Sequence, residues 1–360
     1  MRSVWRPVLL AFVAAGSLLS SGCASLPERA ELVGAPTPHQ SPTAPGGLVD
    51  ARARFRQLFC AAFERQKRAG TAAGECEEWL WRLADEPAPP PVPAPVARPL
   101  QVYLITGAFS ECFGEEARPL AQAIPGLEEA GYAIDTILVS GRSGTEHNAR
   151  QIAEYLRTNP PTRGLPVVMI GYSKGINDAL EFLVEFPELA QPIDAVVSLA
   201  GSVAGSALAA EFSGFYDLLL AHWPDENCDP GDGEVVDSLR VDERRRWLEQ
   251  HPLPPGPRYF SVAAFATRER VARVLVPAWE WLLSRDEHND GQLLTRDALL
   301  PNSTLLGYLH ADHWAVAIEI ERKLDTLAAR KDPRPFPQAA LLEAVLLAVG
   351  ESLTRRAGER

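Results

Sequence analysis

Between residues 100 and 310, short apolar runs alternate along the chain with longer amphipathic segments. The apolar runs have the length and the β-branched content of buried strands, and they are Val102–Thr106, Ala133–Val139, Val167–Ile170, Ala195–Leu199, Tyr259–Ala264 and Ser303–Leu309. The segments between them repeat their apolar residues every three to four positions, as helices do, and they are Glu115–Ala130, Thr145–Thr158 and Ile176–Phe186. Strands that alternate with helices predict an α/β fold, in which a mostly parallel sheet carries helices on both faces.

The region before this pattern is helical in character. Apolar residues from Ala51 to Leu83 fall on two stripes that are separated by Gly70 and Gly74, which predicts a helical hairpin over residues 49–85. Residues 86–99 are rich in proline and predict a semi-rigid linker. The main α/β domain is therefore expected to cover residues 100–360.

One long segment interrupts the strand and helix pattern of the main domain. Residues 202–257 carry glycine, proline, aromatic and acidic residues in place of the regular alternation. In parallel sheets the active site lies at the carboxyl ends of the strands, and this segment follows such an end. We expect a cap or lid over the site, with a purely structural insertion as the alternative.

The first 22 residues predict a secretory signal, because Arg2 and Arg6 precede the apolar core Val8–Leu19. The Ser-Gly pair before Cys23 resembles a bacterial lipoprotein signal, in which the cysteine is lipidated. Residues 23–48 would then form a flexible tether to a membrane. Ala24 is not an aspartate retention signal, so the expected location is the cell envelope, at the periplasmic side of the outer membrane, with plain secretion as the alternative.

Composition narrows the classes of partner. The chain has 360 residues, 46% of them hydrophobic, which is enough for a large core. Its formal net charge of −12 argues against nucleic acid and anionic membrane surfaces as electrostatic partners. Neither a CxxC pair nor a histidine-rich spacing is present, so we expect no metal and no cofactor.

The cysteines fit an oxidising compartment. If Cys23 is lipidated, four of the five cysteines remain for disulfides. We expect Cys60 to pair with Cys76 and Cys112 with Cys228, although three pairings of four cysteines are possible.

Candidate chemistry centres on Ser173. The sequence Gly171-Tyr172-Ser173-Lys174-Gly175 lies between a predicted strand and a predicted helix, which is the arrangement of a nucleophile elbow. Such a turn holds the serine in a strained conformation and presents its hydroxyl, together with the helix N-terminus, to a reacting carbonyl.

A serine nucleophile needs a histidine base, and the base needs an acid that orients it. His313 follows the last predicted strand and is the favoured base, with His310 as the alternative. Asp290 lies in an Asn-Asp-Gly turn between the last two strands and is the favoured acid, with Asp286 and then Asp297 as the alternatives. The order serine, acid, histidine along the chain is the one that this fold uses.

The oxyanion of an acyl-transfer reaction needs two N–H donors. The backbone amide of Lys174 is one candidate. The other is expected in the loop after the first strand, where Gly107 lets the chain turn so that either Ala108 or Phe109 could present an amide, and we favour Phe109. The side chain of Lys174 is expected to be solvated or to contact Asp178 one helical turn later.

These residues resemble the α/β-hydrolase superfamily, and in particular the bacterial lipases and their relatives, over residues 100–330. The resemblance rests on the elbow at Ser173, the Gly-Ser segment of residues 200–206, the turn that carries Asp290 and the pair Asp312-His313. It implies hydrolysis of carboxylic esters through an acyl-enzyme, with an acyl-ester small molecule or lipid as substrate. The segment at Gly107 departs from the lipase pattern, which has a His-Gly pair there.

Two other readings remain open at the level of sequence. The same triad could serve an acyltransferase, a thioesterase or a peptidase, because all of them share the nucleophile and the acyl-enzyme. A non-catalytic envelope lipoprotein could also use a hydrolase fold for binding.

Overall fold

A sheet of seven parallel strands lies at the centre of the structure, a computed structural model. The strands are β1 (Val49–Asp50), β2 (Gln101–Ile105), β3 (Ala133–Ile137), β4 (Val167–Tyr172), β5 (Ile193–Leu199), β6 (Arg258–Phe265) and β7 (Thr304–His310). Their order across the sheet is β1-β7-β6-β5-β4-β2-β3, and every neighbouring pair is parallel. All the carboxyl ends therefore lie at one edge of the sheet, where a site can form.

The structure describes residues 47–89, 91, 97–114, 118–211, 229–319 and 329–358. The predicted signal, the lipidation site Cys23 and the tether as far as residue 46 lie outside the described residues. The same holds for Cys228, for residues 212–228 of the insertion and for residues 92–96 of the linker.

The described residues form ten α-helices around this sheet. They are α1 (Arg52–Arg68), α2 (Ser110–Phe113), α3 (Ile124–Glu129), α4 (Thr145–Thr158), α5 (Gly175–Glu185), α6 (Pro187–Ala190), α7 (Ala207–Glu211), α8 (Val241–Gln250), α9 (Val276–Leu283) and α10 (Gln338–Gly358). None of the described helices is both long enough and apolar enough to cross a bilayer.

The hydrophobic core forms on both faces of the sheet. Successive strand residues point to opposite faces, so Val102 and Leu104 pack with α1 and α10, whereas Tyr103 and Ile105 pack with α4 and α5. Strands that are buried on both faces read as continuous apolar runs, which is why the sequence pattern identified them. The predicted α/β class, with helices on both faces of a parallel sheet, is confirmed.

The N-terminal extension belongs to the same core, but its second arm differs from the prediction. α1 packs against α10 through Phe55, Phe59 and neighbouring apolar residues. The predicted second helix is a 3-10 turn at Cys76–Glu78, followed by an extended segment in which Leu80 bridges Leu309 in antiparallel fashion. Backbone hydrogen bonds to the part of β7 that β1 leaves unpaired replace the helical ones, so the extension carries one helix and not a helical hairpin.

The predicted helix Glu115–Ala130 is also shorter in the structure. Its described part consists of a 3-10 turn at Ala121–Ala123 and of α3, and the residue before the turn, Leu120, has a left-handed φ of 57°. Pro125 lies in the first turn of α3. Proline starts helices and does not continue them, so the helix begins late.

The cysteines of the extension form a disulfide between Cys60 and Cys76, with Cα atoms 5.2 Å apart. Cys112 is also disulfide-bonded. Its predicted partner, Cys228, lies outside the described residues.

Candidate active site

Ser173 occupies a strained turn between β4 and α5. Its φ is 54°, a left-handed value that side chains other than glycine rarely adopt. The glycines on either side are required by close approach: a Cβ on Gly171 would lie 2.3 Å from the Cα of Ile176, and one on Gly175 would lie 2.6 Å from the carbonyl oxygen of Ile105. The strand, the turn and the helix therefore meet closely enough to hold the serine hydroxyl above the sheet.

A continuous chain of hydrogen bonds joins the three predicted catalytic residues. The hydroxyl of Ser173 lies 2.9 Å from Nε2 of His313, and Nδ1 of His313 lies 2.7 Å from Oδ2 of Asp290. Asp290 and His313 are buried, whereas Ser173 is partly exposed. An ionised carboxylate only accepts hydrogen bonds, so Nδ1 carries the imidazole proton and the lone pair of Nε2 faces the hydroxyl.

The turn that carries Asp290 fixes the direction of its carboxylate. Oδ1 accepts the backbone amides of Gln292, at 2.9 Å, and Leu293, at 2.7 Å, which leaves Oδ2 for the histidine. The main chain adds a second link, because the amide of His313 donates to the carbonyl oxygen of Asp290 at 2.8 Å. Asp290 and His313 are therefore held together by both side-chain and backbone contacts.

Tyr172, which the sequence pattern did not single out, contacts His313 through both its ring and its hydroxyl. Its ring stacks on the imidazole of His313 with centroids 5.3 Å apart, and its hydroxyl donates to the carbonyl oxygen of His313 at 2.9 Å. Burial, and then the nearby charge of Asp290, raise the pKa of Tyr172 well above its ordinary value. The phenol is therefore a neutral donor at neutral pH.

Asp312 supports the base from the preceding position. Its carboxylate is fully buried. It accepts hydrogen bonds from Nε and Nη2 of Arg330, at 2.8 and 2.9 Å, and from the backbone amides of Ala272 and Ala315. A bidentate arginine pair with two further amide donors fixes the loop on which His313 lies.

The alternative base and the alternative acid have other partners. His310 faces the carbonyl oxygen of Glu78 and the hydroxyl of Thr267, and its ring lies against Trp81. Asp286 accepts hydrogen bonds from His288 and from Arg296.

Burial by itself would raise the pKa of Asp286, but the hydrogen bonds from His288 and the charge of Arg296 outweigh it and hold the pKa below the ordinary value. Asp286 is thus an ionised partner of a separate ion-pair group.

The two predicted oxyanion donors differ in the structure. Lys174 lies at the N-cap of α5, where backbone amides have no acceptor within the helix. The amide of Phe109, in contrast, donates to the carbonyl oxygen of Gly141 at 2.9 Å. Since that amide is committed to a backbone acceptor, the choice of Phe109 over Ala108 is wrong.

Ala108 is the remaining candidate in that loop. The preceding residue, Gly107, lies against the nucleophile, because a Cβ on Gly107 would be 3.0 Å from the Cβ of Ser173. Phe109 instead turns the loop through its left-handed φ of 61°.

Part of the predicted cap contacts this same loop. Ala108 and Phe109 pack against Ala209, Val235 and Val236, which belong to residues 202–257. The described insertion therefore lies beside the candidate oxyanion site, while its role as a lid stays a prediction.

Among the described residues, one group has the spacing of a metal site, namely Cys60, Cys76 and Glu77. The two cysteines are bonded to each other, so they offer no thiolate to a metal.

Local sequence carried weak signals for the supporting residues that were missed. Tyr172 lies inside the elbow motif and Asp312 directly precedes the base, so both could have been flagged by position. Arg330 could not, because only the fold brings it to Asp312.

Comparison with known proteins places the chain in a family. No protein-family model matches the sequence, and a comparison with curated proteins gives no match. Among solved structures, the metagenomic carboxyl esterase MGS0156 is 35% identical, with a TM-score of 0.81 over 90% of this chain and 98% of that one.

The lipase BlEst2 of Bacillus licheniformis shares the fold at lower identity. Its propeptide form is 22% identical, with a TM-score of 0.50 over 68% of this chain and 54% of that one. The identity and the near-complete coverage of the carboxyl esterase carry the assignment, and the resemblance inferred from the elbow and the triad turns is confirmed: the chain belongs to the α/β-hydrolase family that includes this esterase.

Proposed function

We propose that this protein hydrolyses carboxylic esters through an acyl-enzyme on Ser173. The observation that supports this most directly is the unbroken hydrogen-bonded series Ser173–His313–Asp290 at the carboxyl edge of the sheet. The description of its 35% identical relative as a carboxyl esterase supports the same reaction class.

In the first half of the reaction, Nε2 of His313 takes the hydroxyl proton while Oγ of Ser173 forms a bond to the acyl carbon. Asp290 keeps the proton on Nδ1 and stabilises the imidazolium that results. The tetrahedral intermediate then collapses, the bond to the alcohol oxygen breaks, and His313 gives its proton to the leaving alcohol.

In the second half, a water molecule replaces the alcohol. His313 takes a proton from the water, whose oxygen attacks the acyl carbon of the ester on Ser173. Collapse of the second intermediate releases the carboxylic acid and returns the proton to Oγ. The reaction consumes one water for each ester, so no cofactor enters the balance.

The negative oxygen of each intermediate would accept hydrogen bonds from the backbone amides of Lys174 and Ala108. Both candidates lie next to the nucleophile, one directly after Ser173 and one directly after Gly107, which packs on it. Preorganised amides of this kind are each worth about 10²–10³ in kcat.

The test uses the purified full chain beside its Ser173→Ala variant, on p-nitrophenyl esters from acetate to palmitate. We expect turnover by the wild type and its loss in the variant, and the preferred chain length would distinguish an esterase from a lipase. Labelling by a fluorophosphonate probe should likewise require Ser173. A folded wild type that neither turns over an ester nor takes the label would refute the proposal.

The proposed location is the bacterial cell envelope, with the chain anchored by a lipid on Cys23. The signal-like residues 1–22 support this, and the disulfide between Cys60 and Cys76 fits an oxidising compartment. Mass spectrometry of the membrane fraction should find a lipid-modified Cys23 as the mature N-terminus. A Cys23→Ser variant should move to the soluble fraction, and an unmodified Cys23 in the wild type would exclude the anchor.

A further inference from the structure

The side chain of Lys174 is buried beneath the nucleophile and has no part in the mechanism above. We propose that it is a positioning residue: through Asp178 and Asn148 it fixes the two oxyanion donors relative to each other. This inference rests on the proposed function, because it concerns how that site is assembled.

The first link is a buried ion pair inside the elbow. Nζ of Lys174 lies 2.5 Å from Oδ1 of Asp178, one helical turn away, and both side chains are about 1% exposed. Exposed pairs at this spacing contribute little, and a buried pair is no more stabilising than a well-packed apolar pair. Stability alone therefore gives no reason for two charges at this position. We infer that the pair serves to hold the surrounding backbone in place.

The second link leaves the helix. Oδ2 of Asp178 accepts Nδ2 of Asn148, on α4, at 2.9 Å, and the same amide group donates to the carbonyl oxygen of Ser140 at 2.9 Å. Asn148 is fully buried, so it exchanges no hydrogen bonds with solvent. The ion pair is thereby connected to the loop between β3 and α4.

The third link reaches the other donor. Gly141 follows Ser140, and its carbonyl oxygen accepts the amide of Phe109, while its own amide donates to both carboxylate oxygens of Glu111 at 2.8 Å. A Cβ on Gly141 would lie 2.4 Å from the nitrogen of Phe109, so the two loops are in direct backbone contact. A shift of Ser140 would therefore move the loop that presents Ala108.

Lys174 is thus linked to both oxyanion donors. Its backbone amide is the first oxyanion donor, and its side chain begins the series of contacts that ends at the loop of the second. The ammonium is buried and bound to Asp178, so it does not contact a substrate or exchange protons with one.

Two further charges complete this buried cluster. Arg244, from α8 of the insertion, is buried, and burial lowers its pKa to about 10 although the charges of Glu181 and Asp178 oppose that change. The positive charges of Lys174 and Arg244 therefore balance the negative charges of Asp178 and Glu181. Removal of Lys174 alone would leave an excess negative charge, which is why the test needs a variant that removes both members of the pair.

The experiment compares Lys174→Met, Asp178→Leu and the double variant in the full chain. kcat and KM on p-nitrophenyl butyrate and the thermal midpoint are measured for each. Arg56→Met is the matched control, because Arg56 pairs with Glu86 in the N-terminal extension, away from the site.

For Lys174→Met we expect kcat to fall about 10- to 100-fold with KM within about twofold, since a donor misplaced by about 1 Å weakens transition-state binding more than substrate binding. In the double variant the thermal midpoint should return toward that of the wild type, because no unpaired charge remains. Its kcat should stay low, because the link to Asn148 is still missing. Arg56→Met should lower the midpoint with kcat unchanged.

A double variant that recovers both its midpoint and its kcat would overturn the inference, since the pair would then serve stability alone. So would a folded Lys174→Met with wild-type kcat. If the single variants do not fold, Asn148→Leu interrupts the same series without leaving a charge unpaired and must lower kcat in the same way. A folded wild type that neither turns over any of the p-nitrophenyl esters nor takes the fluorophosphonate label would refute the proposed function itself, whereas an active wild type with unaffected variants refutes only the positioning role.

Discussion

Replacement of Asp290 by asparagine tests how this site orients its base. Oδ1 of Asp290 receives two backbone amides, so an asparagine must place its own carbonyl oxygen there. Its NH₂ group then faces Nδ1 of His313, which can only accept, and the imidazole proton moves to Nε2. In that tautomer His313 donates to the hydroxyl of Ser173 and cannot take its proton.

The expected loss follows from this geometry. The wrong tautomer of a triad histidine lowers kcat by about 10⁴, equivalent to about 5 kcal/mol of transition-state free energy. Folding should change far less, because asparagine has nearly the same shape and keeps both amide hydrogen bonds. We expect the free energy of unfolding to fall by about 1 kcal/mol as charge-assisted hydrogen bonds become neutral ones.

The assay is kcat on a p-nitrophenyl ester with urea unfolding of the same samples. Asp286→Asn is the matched control, because Asp286 is another acid that the sequence allows and is bound to His288 and Arg296. It should keep wild-type kcat. The reasoning is refuted if Asp290→Asn retains more than about a tenth of the activity, or if Asp286→Asn loses as much.

Three further changes test the packing, the disulfide and a buried carboxyl. Gly171→Ala should lower the free energy of unfolding by about 3 kcal/mol or more, because the added methyl would lie 2.3 Å from backbone of the next helix. Cys76→Ser should lower it by about 2–4 kcal/mol, because the bond to Cys60 closes a loop with a sequence separation of 16. Burial raises the pKa of Asp297 from 3.8 to about 6, so the contribution of Asp297 to stability should decline by about 3 kcal/mol as pH rises from about 4 to 6, and the difference between wild type and Asp297→Asn should change with pH by that amount.

Urea unfolding measures all three. Gly126→Ala is the control for Gly171→Ala: the site in α3 has no atom within 4 Å of an added Cβ, and a helical alanine should raise stability by about 0.5–1 kcal/mol. Equal effects of the two substitutions would contradict the close-contact argument. For Cys76→Ser, the difference from the wild type should disappear when both proteins are treated with reductant, because Cys112 is disulfide-bonded in both. Because the pKa of Asp297 is higher in the folded state, the folded protein favours the protonated carboxyl, and the contribution of Asp297 to stability is greatest below pH 4.

The elements that were predicted well are those that depend on residue spacing within the segment itself. Thr145–Thr158 is a helix with the predicted bounds, because its apolar spacing is regular and Pro160 and Pro161 follow its end. The elements that were missed depend on distant partners. Residues 79–81 have helical spacing but form no helix, because β7 offers them backbone hydrogen bonds.

The same distinction holds within the site. The elbow at Ser173 could be read because glycine spacing reports a close approach between adjacent elements. The loop at Gly107 misled the sequence analysis, because either of the two following amides could point to the site. Only the contact of Phe109 with Gly141, 32 positions later, removes one of them.

The sequence by itself determined the α/β class, the elbow and the order of serine, acid and histidine, because these follow from the spacing of residues that are near one another in the chain. Tertiary structure decided which acid faces His313, which amide stays available beside Ser173, and that Lys174 is paired inside the protein. Those outcomes depend on hydrogen bonds between residues that are far apart in sequence. No local pattern records such bonds, since each partner is specified only by the packing of the whole sheet.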